Sequence, residues 1–140
     1  MGRMSAVLID THVLAWSLID PGSLAPAALS ALEAASTILV PPCALHEITL
    51  KVRNGKWDTM RAHADQLDSL CLAQGFDFSP YTARMAMASG SLDWVHRDPF
   101  DRMIAATALE LSCPLISKDA VFDALHTLPG WKGRIWAEDI

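Results

Sequence analysis

Basic residues are scarce in this 140-residue chain: 11 Lys and Arg stand against 16 Asp and Glu, a formal net charge of −5. That balance argues against binding nucleic acid through a broad basic surface, unless several of the acids sit on a bound cation. Cysteine is scarce too. Cys43, Cys71 and Cys113 are widely spaced, and an odd count without a CxxC pair argues against a disulfide framework and a zinc ribbon. Small buried side chains in a reducing interior suit them. No apolar run approaches membrane-spanning length, and Ala6-Val7-Leu8-Ile9 is too short for the core of a signal peptide. A cytoplasmic protein is expected. The chain also lacks a GxxxxGK[ST] phosphate loop, a GxGxxG turn and a GxSxG elbow. His46-Glu47 begins a string like HExxH, but residue 50 is Leu, so a zinc protease fails. The five histidines share no ligand spacing.

Apolar residues, by contrast, are plentiful. They make up 51% of the chain against 19% charged, which excludes disorder and supports one folded domain over residues 1–140. So high a share suggests that a partner or a second copy covers part of the surface. Residues 6–9 read as a buried strand ending at Asp10, and Thr37–Val40 as a second, stopped by Pro41-Pro42. Residues 114–117 read as another, ending at Lys118-Asp119. Phe76-Asp77-Phe78 and Arg134-Ile135-Trp136 suggest two short ones. An apolar stretch over 13–19 closes at Asp20-Pro21-Gly22. Helices are expected over 26–35, 45–53, 58–74, from Pro80 to about Ser89-Gly90, and over 99–112. Strands alternating with helices imply an α/β fold with a mostly parallel sheet covered on both faces.

Two of the strands end in an acid, Asp10 and Asp119, and open parallel sheets bind ligands at the carboxyl ends of their strands. Each of these residues is equally well placed as a helix N-cap. Glu47 falls early in its helix, where the dipole alone favours an acid. Asp98-Pro99 is a helix start with Asp101 at the third helical position, a pattern like a capping box. Asp101 is less well explained by capping, because it lies beside the apolar face formed by Ile104, Ala105 and Ala108. A buried carboxylate needs a partner there. Several carboxylates without a His or Cys cluster describe a site for a hard cation, Mg²⁺ or Mn²⁺.

The strings LIDTHVLAW at 8–16, LHEITLKVRNGK at 45–56, HRDPFDRMIAATA at 96–108 and LISKD at 115–119 resemble, in this order and spacing, the PIN-domain family and its VapC-type toxins. The resemblance implies an α/β/α sandwich and a metal-dependent endoribonuclease. It also implies a toxin blocked by a cognate antitoxin, and a homodimer. The family's acids fall on Asp10, Glu47, Asp101 and Asp119, expected to hold one or two Mg²⁺ or Mn²⁺ ions and so activate a water for attack on the RNA phosphodiester. Asp98 either joins them or only shapes the helix start. The chain departs from the pattern at Pro41-Pro42-Cys43-Ala44, where relatives often carry small hydroxyl residues before the Glu. Lys51, Arg53, Lys56, Arg97, Arg102 and Lys118 flank the acids and are candidates for RNA phosphates. Trp57 and Trp94 are candidates for stacking on bases or for packing. Two rivals remain open: a non-catalytic protein-binding module on the same fold, and a phosphatase with Asp10 as nucleophile. The usual second acid two residues on is absent, because that position is His12.

Overall fold

The apolar runs and helical stripes resolve, in a computed structural model that describes residues 6–136, into a sheet sandwiched between helices. The elements in chain order are β1 (Ala6–Ile9), α1 (Thr11–Ile19), α2 (Pro26–Ala34), β2 (Thr37–Val40), α3 (Pro42–Arg53) and α4 (Leu67–Ala73). They continue with β3 (Asp77–Phe78), α5 (Ala83–Ser91), α6 (Pro99–Leu111), β4 (Leu115–Ile116) and β5 (Arg134–Ile135). The strand order is β3-β2-β1-β4-β5 and every pairing is parallel.

Side chains alternate across a strand, so β1 divides its residues between two cores. Val7 and Ile9 join Val40, Ile116, Val13, Ile48 and Cys71 on one face. Leu8 joins Leu115, Ile104, Ala105, Phe122 and Leu125 on the other. Both faces of β1 are therefore buried, which is why its sequence is a continuous apolar run. The chain leaves β1 toward β2 on one side and reaches β4 on the other, so the sheet reverses its winding beside β1. That reversal opens a crevice at the carboxyl ends of the strands.

Three helices differ from their sequence expectation. The segment 58–74 is not one helix: short 3-10 turns at Asp58–Met60 and Ala64–Gln66 precede α4. Over 58–66 the only sizeable apolar side chain is Met60, which is fully buried, and no stripe of helical period begins until Leu67 and Cys71. Pro42 does not merely stop β2. It is the first residue of α3, with Pro41 as N-cap, a position where the missing proline N–H costs nothing. No side chain caps α3; the preset φ of Pro42 starts the helix without a capping hydroxyl. Pro80 likewise lies outside α5, which starts after Thr82, whose hydroxyl accepts from the Met85 amide at 3.1 Å.

Candidate active site

The register of β1 and β4 aligns Ile9 with Ile116, which brings the residues that follow each strand to one edge. Asp10 caps α1, its Oδ1 accepting from the Val13 amide at 2.9 Å. Asp119 caps the 3-10 turn at Ala120–Thr127, with Oδ1 accepting from the Val121 amide at 3.0 Å. Capping and clustering are thus not alternatives here. Capping holds each Asp where its strand ends, and the parallel sheet puts those ends together.

Glu47 arrives from α3. Because the helix opens at Pro42, Glu47 sits in its second turn, not its first, and the dipole argument fades with distance from the terminus. The residue belongs instead to the buried stripe of Ala44 and Ile48. Only 6% of it is exposed. Its carboxylate is held from two sides: the Thr11 hydroxyl donates to Oε1 at 2.6 Å, and Lys51 Nζ lies 2.6 Å from Oε2.

Asp98 and Asp101 come from the start of α6. Asp98 Oδ1 accepts from the amides of Phe100 at 2.8 Å and Asp101 at 3.1 Å. The reciprocal half of a capping box does not form. Asp101 turns instead to His96, whose Nε2 is 2.7 Å from Oδ2. Neither Thr11 nor His96 was marked as functional by the sequence. The signal available was adjacency to the acids, Thr11 after Asp10 and His96 just before the DPFD string.

Asp10, Glu47, Asp98, Asp101 and Asp119 all line one cleft of about 150 Å³. Among the described residues on its wall, Lys51 is the one lysine or arginine. Burial pushes the Asp10 carboxyl up to about 6, and the charges of Glu47 and Asp119 add to the shift against hydrogen bonds from Ser117 and Val13. Burial also pushes Asp101 up to about 6, with Asp98 and Glu47 adding and His96 opposing. A cleft that resists ionising its own acids is short of positive charge. Oxygen donors dominate it, and His96, Asp98 and Asp101 form a triplet whose ligand atoms, one from each residue, lie within 4.8 Å of one another. That donor set fits a hard divalent cation. The cysteines offer nothing to it: burial first, then the Glu47 and Asp101 charges, push the Cys43 thiol up to about 12, and burial holds Cys71 and Cys113 near 11.

The flanking cations divide. Lys118 Nζ lies 5.9 Å from the Trp16 ring centroid, beside Asp119. Arg53, Lys56 and Arg97 are exposed. Arg102, a candidate for RNA contact from its position, is committed elsewhere: its guanidinium donates to the carbonyls of Ser89, Leu92, Trp94 and His96, each at 2.8 Å. Trp94 packs 5.6 Å from Phe122 and belongs to the core rather than to an RNA surface.

The model of the family described as PIN domain matches residues 7–127. Over 117 residues the chain is 30% identical to Ribonuclease VapC22 of Mycobacterium tuberculosis (strain ATCC 25618 / H37Rv), a match covering 83% of this chain and 88% of that protein. Its fold is similar to VapBC2 from Rickettsia felis, solved bound to a DNA fragment from their promoter. There the TM-score is 0.63 at 14% identity, over 93% of this chain and 98% of that one. It is similar as well to VapBC-5 from Mycobacterium tuberculosis, a member of the VapBC family of toxin–antitoxin systems, with TM-score 0.63 at 19% identity over 92% and 97% of the two chains.

Proposed function

The chain belongs to the PIN-domain family, and from that premise we propose that it is an endoribonuclease dependent on Mg²⁺ or Mn²⁺, the toxin of a type II toxin–antitoxin pair. The observation that carries the proposal is the gathering of acids from β1, α3, α6 and β4 into one cleft. The ribonuclease name of the relative and the toxin–antitoxin complexes among the structural neighbours support it.

In this proposal Asp10, Glu47, Asp101 and Asp119 hold the cation, and Asp98 stands on the same wall. When bound, the cation supplies Lewis acidity, lowering the pKa of water and neutralising charge on the phosphate. The chain's own residues do the positioning. Thr11 and Lys51 fix both oxygens of Glu47, so its carboxylate is oriented before ligand arrives. His96 orients Asp101 in the same way. Lys51, Arg53, Arg97 and Lys118 supply the positive charge that draws RNA phosphates toward an acidic cleft; Arg102 is left out because carbonyls occupy it. A cognate antitoxin covers the cleft, and a second copy of the chain completes a homodimer. A cytoplasmic place suits its three free thiols. Among the described residues no helix is long and apolar enough to cross a membrane.

The test is cleavage of RNA by purified protein with Mg²⁺, beside Asp101→Asn. We expect the variant to lose activity by about 100-fold or more, as removal of several kcal/mol of transition-state stabilisation requires, with its thermal unfolding intact. Full activity in folded Asp101→Asn refutes the assignment.

A further inference from the structure

Beside the acidic cleft lies a second, larger pocket of about 350 Å³, lined by Trp16, His12 and Lys118 together with Asp10 and Asp119. The two share Asp10, His12 and Asp119 and so adjoin. They differ in chemistry. The smaller is walled mainly by carboxylates; the larger presents mostly carbon and includes the Trp16 indole. The smaller volume suits a phosphate with its cation. The larger falls in the range of about 300–1,000 Å³ typical of pockets that hold small organic groups.

We propose that this pocket is a subsite for one unpaired nucleobase of the RNA, the base adjoining the phosphate held in the acidic cleft. The inference rests on the ribonuclease proposal above and assigns to Trp16 the contact with that base. Three observations support it. The Trp16 ring is half-buried and backed by Trp136 at 5.7 Å between centroids, and by the core cluster that includes Val13 and Ile116. It is therefore an anchored platform, which costs little entropy to present to a ligand. Lys118 Nζ stands over the ring, 5.9 Å from its centroid, a cation–π contact that a stacking base displaces, freeing the ammonium for the adjoining phosphate. His12 supplies a second ring 5.6 Å from Trp16 and is itself packed against Trp57 at 4.8 Å. The residue as a whole is exposed.

A base inside a duplex has both faces stacked and cannot lie on an indole. An unpaired nucleotide can, and aromatic platforms of this kind bind single strands. Trp16 therefore meets a base only where the RNA is unpaired. Because stacking reads the face of a base and not its edge, selection by shape exceeds selection by sequence at this position.

The test uses the full chain carrying Asp101→Asn, with Mg²⁺, and fluorescently labelled RNA read by anisotropy. The probes are a single-stranded oligonucleotide, the same strand in a duplex, and the single strand with an abasic ribose placed at successive positions. The expected result is tighter binding of the single strand than of the duplex. Adding Trp16→Leu should weaken single-strand binding about 5- to 150-fold, as loss of one stacked base does, while Trp16→Phe keeps most of it. One abasic position should weaken the parent by a similar factor and make Trp16→Leu cost nothing more. Trp16→Phe guards against misfolding, since it retains a ring on the same backing. Single-strand binding that ignores both Trp16 changes overturns the subsite and leaves the ribonuclease proposal standing. A pocket that serves a side chain of a partner protein gives that same result with RNA. A parent that binds no RNA while folded overturns both.

Discussion

His96 Nε2 meets Asp101 Oδ2 at 2.7 Å, and Arg102, next along α6, donates to the backbone carbonyl of the same histidine at 2.8 Å. Four carbonyls between Ser89 and His96 accept from the Arg102 guanidinium at 2.8 Å, tying the connection between α5 and α6 down onto α6. The rigid fork of an arginine suits that task, offering several donors in one plane. The His96 ring then lies 4.9 Å from Trp94 and faces the carboxylate. A residue that resembles a substrate contact by position is thus a brace for the site.

His96→Ala should weaken Mn²⁺ or Mg²⁺ binding about 10- to 100-fold, the usual effect of losing a group that orients a metal-binding residue. His96→Gln, which can still place a nitrogen near Asp101, should recover part of the loss. Titration calorimetry on the metal-free protein measures this without relying on turnover. An unchanged dissociation constant in His96→Ala would remove His96 from any role at the site.

Removing metal should make the protein less stable at neutral pH than at mildly acidic pH. Asp10 and Asp101 stand near 6 because burial opposes their charge, whereas an unfolded Asp titrates near 3.9. Between these values the folded chain holds more protons than the unfolded one, so stability falls as pH rises through about 4–6. Two groups act the other way: Asp123, whose pKa the Arg134 hydrogen bond lowers, but only where pH falls below the ordinary Asp range, and His12, whose pKa burial lowers, so that stability rises with pH just below 6.5. Two raised acids outweigh one histidine, and urea unfolding in a chelator should give a free energy lower at pH 7.5 than at pH 5, by about 1 kcal/mol or more. Mg²⁺ at pH 7.5 should restore it, and metal affinity should climb with pH up to about 7 as protons cease to compete. A chelated protein equally stable at the two pH values would contradict the burial of these acids.

Thr11→Val should cost about 1–3 kcal/mol, because it leaves Glu47 Oε1 in a buried place without the hydroxyl that donates to it at 2.6 Å. Thr11→Ser, which keeps the donor, should cost less than half of that. Denaturant midpoints compare the three proteins. Metal affinity should follow the same order, since Glu47 with one unheld oxygen is less well oriented. Equal losses for Val and Ser would mean that packing of the Thr11 methyl, not its hydroxyl, matters.

Much of the frame is legible in one dimension because its causes are local. Val7, Leu8 and Ile9 need burial on both faces, so they declare an inner strand. Asp98-Pro99 declares a helix start through capping and a preset φ, and that helix begins where the pair stands. Glu47 and Asp101 sit on stripes whose other members are buried, which is how an acid announces that it has business inside. Where local signals were weak, at 58–66, at Pro42 and at Pro80, the helix limits came out differently, for packing decides a segment whose own stripe is sparse.

The order of residues alone determined that this chain makes a parallel sheet under helices and that acids stand where strands end. Periodicity and capping act over a few residues, so they can be read from neighbours along the chain. Only the tertiary structure decided what those acids meet: that Glu47 finds Thr11, that Asp101 finds His96, that Arg102 faces inward to carbonyls and that Trp16 walls a pocket beside the cleft. Hydrogen bonds reach about 3 Å, and what raises Asp10 is burial first, then the charges of Glu47 and Asp119 on other elements. Both depend on separations through space, which spacing in sequence does not contain.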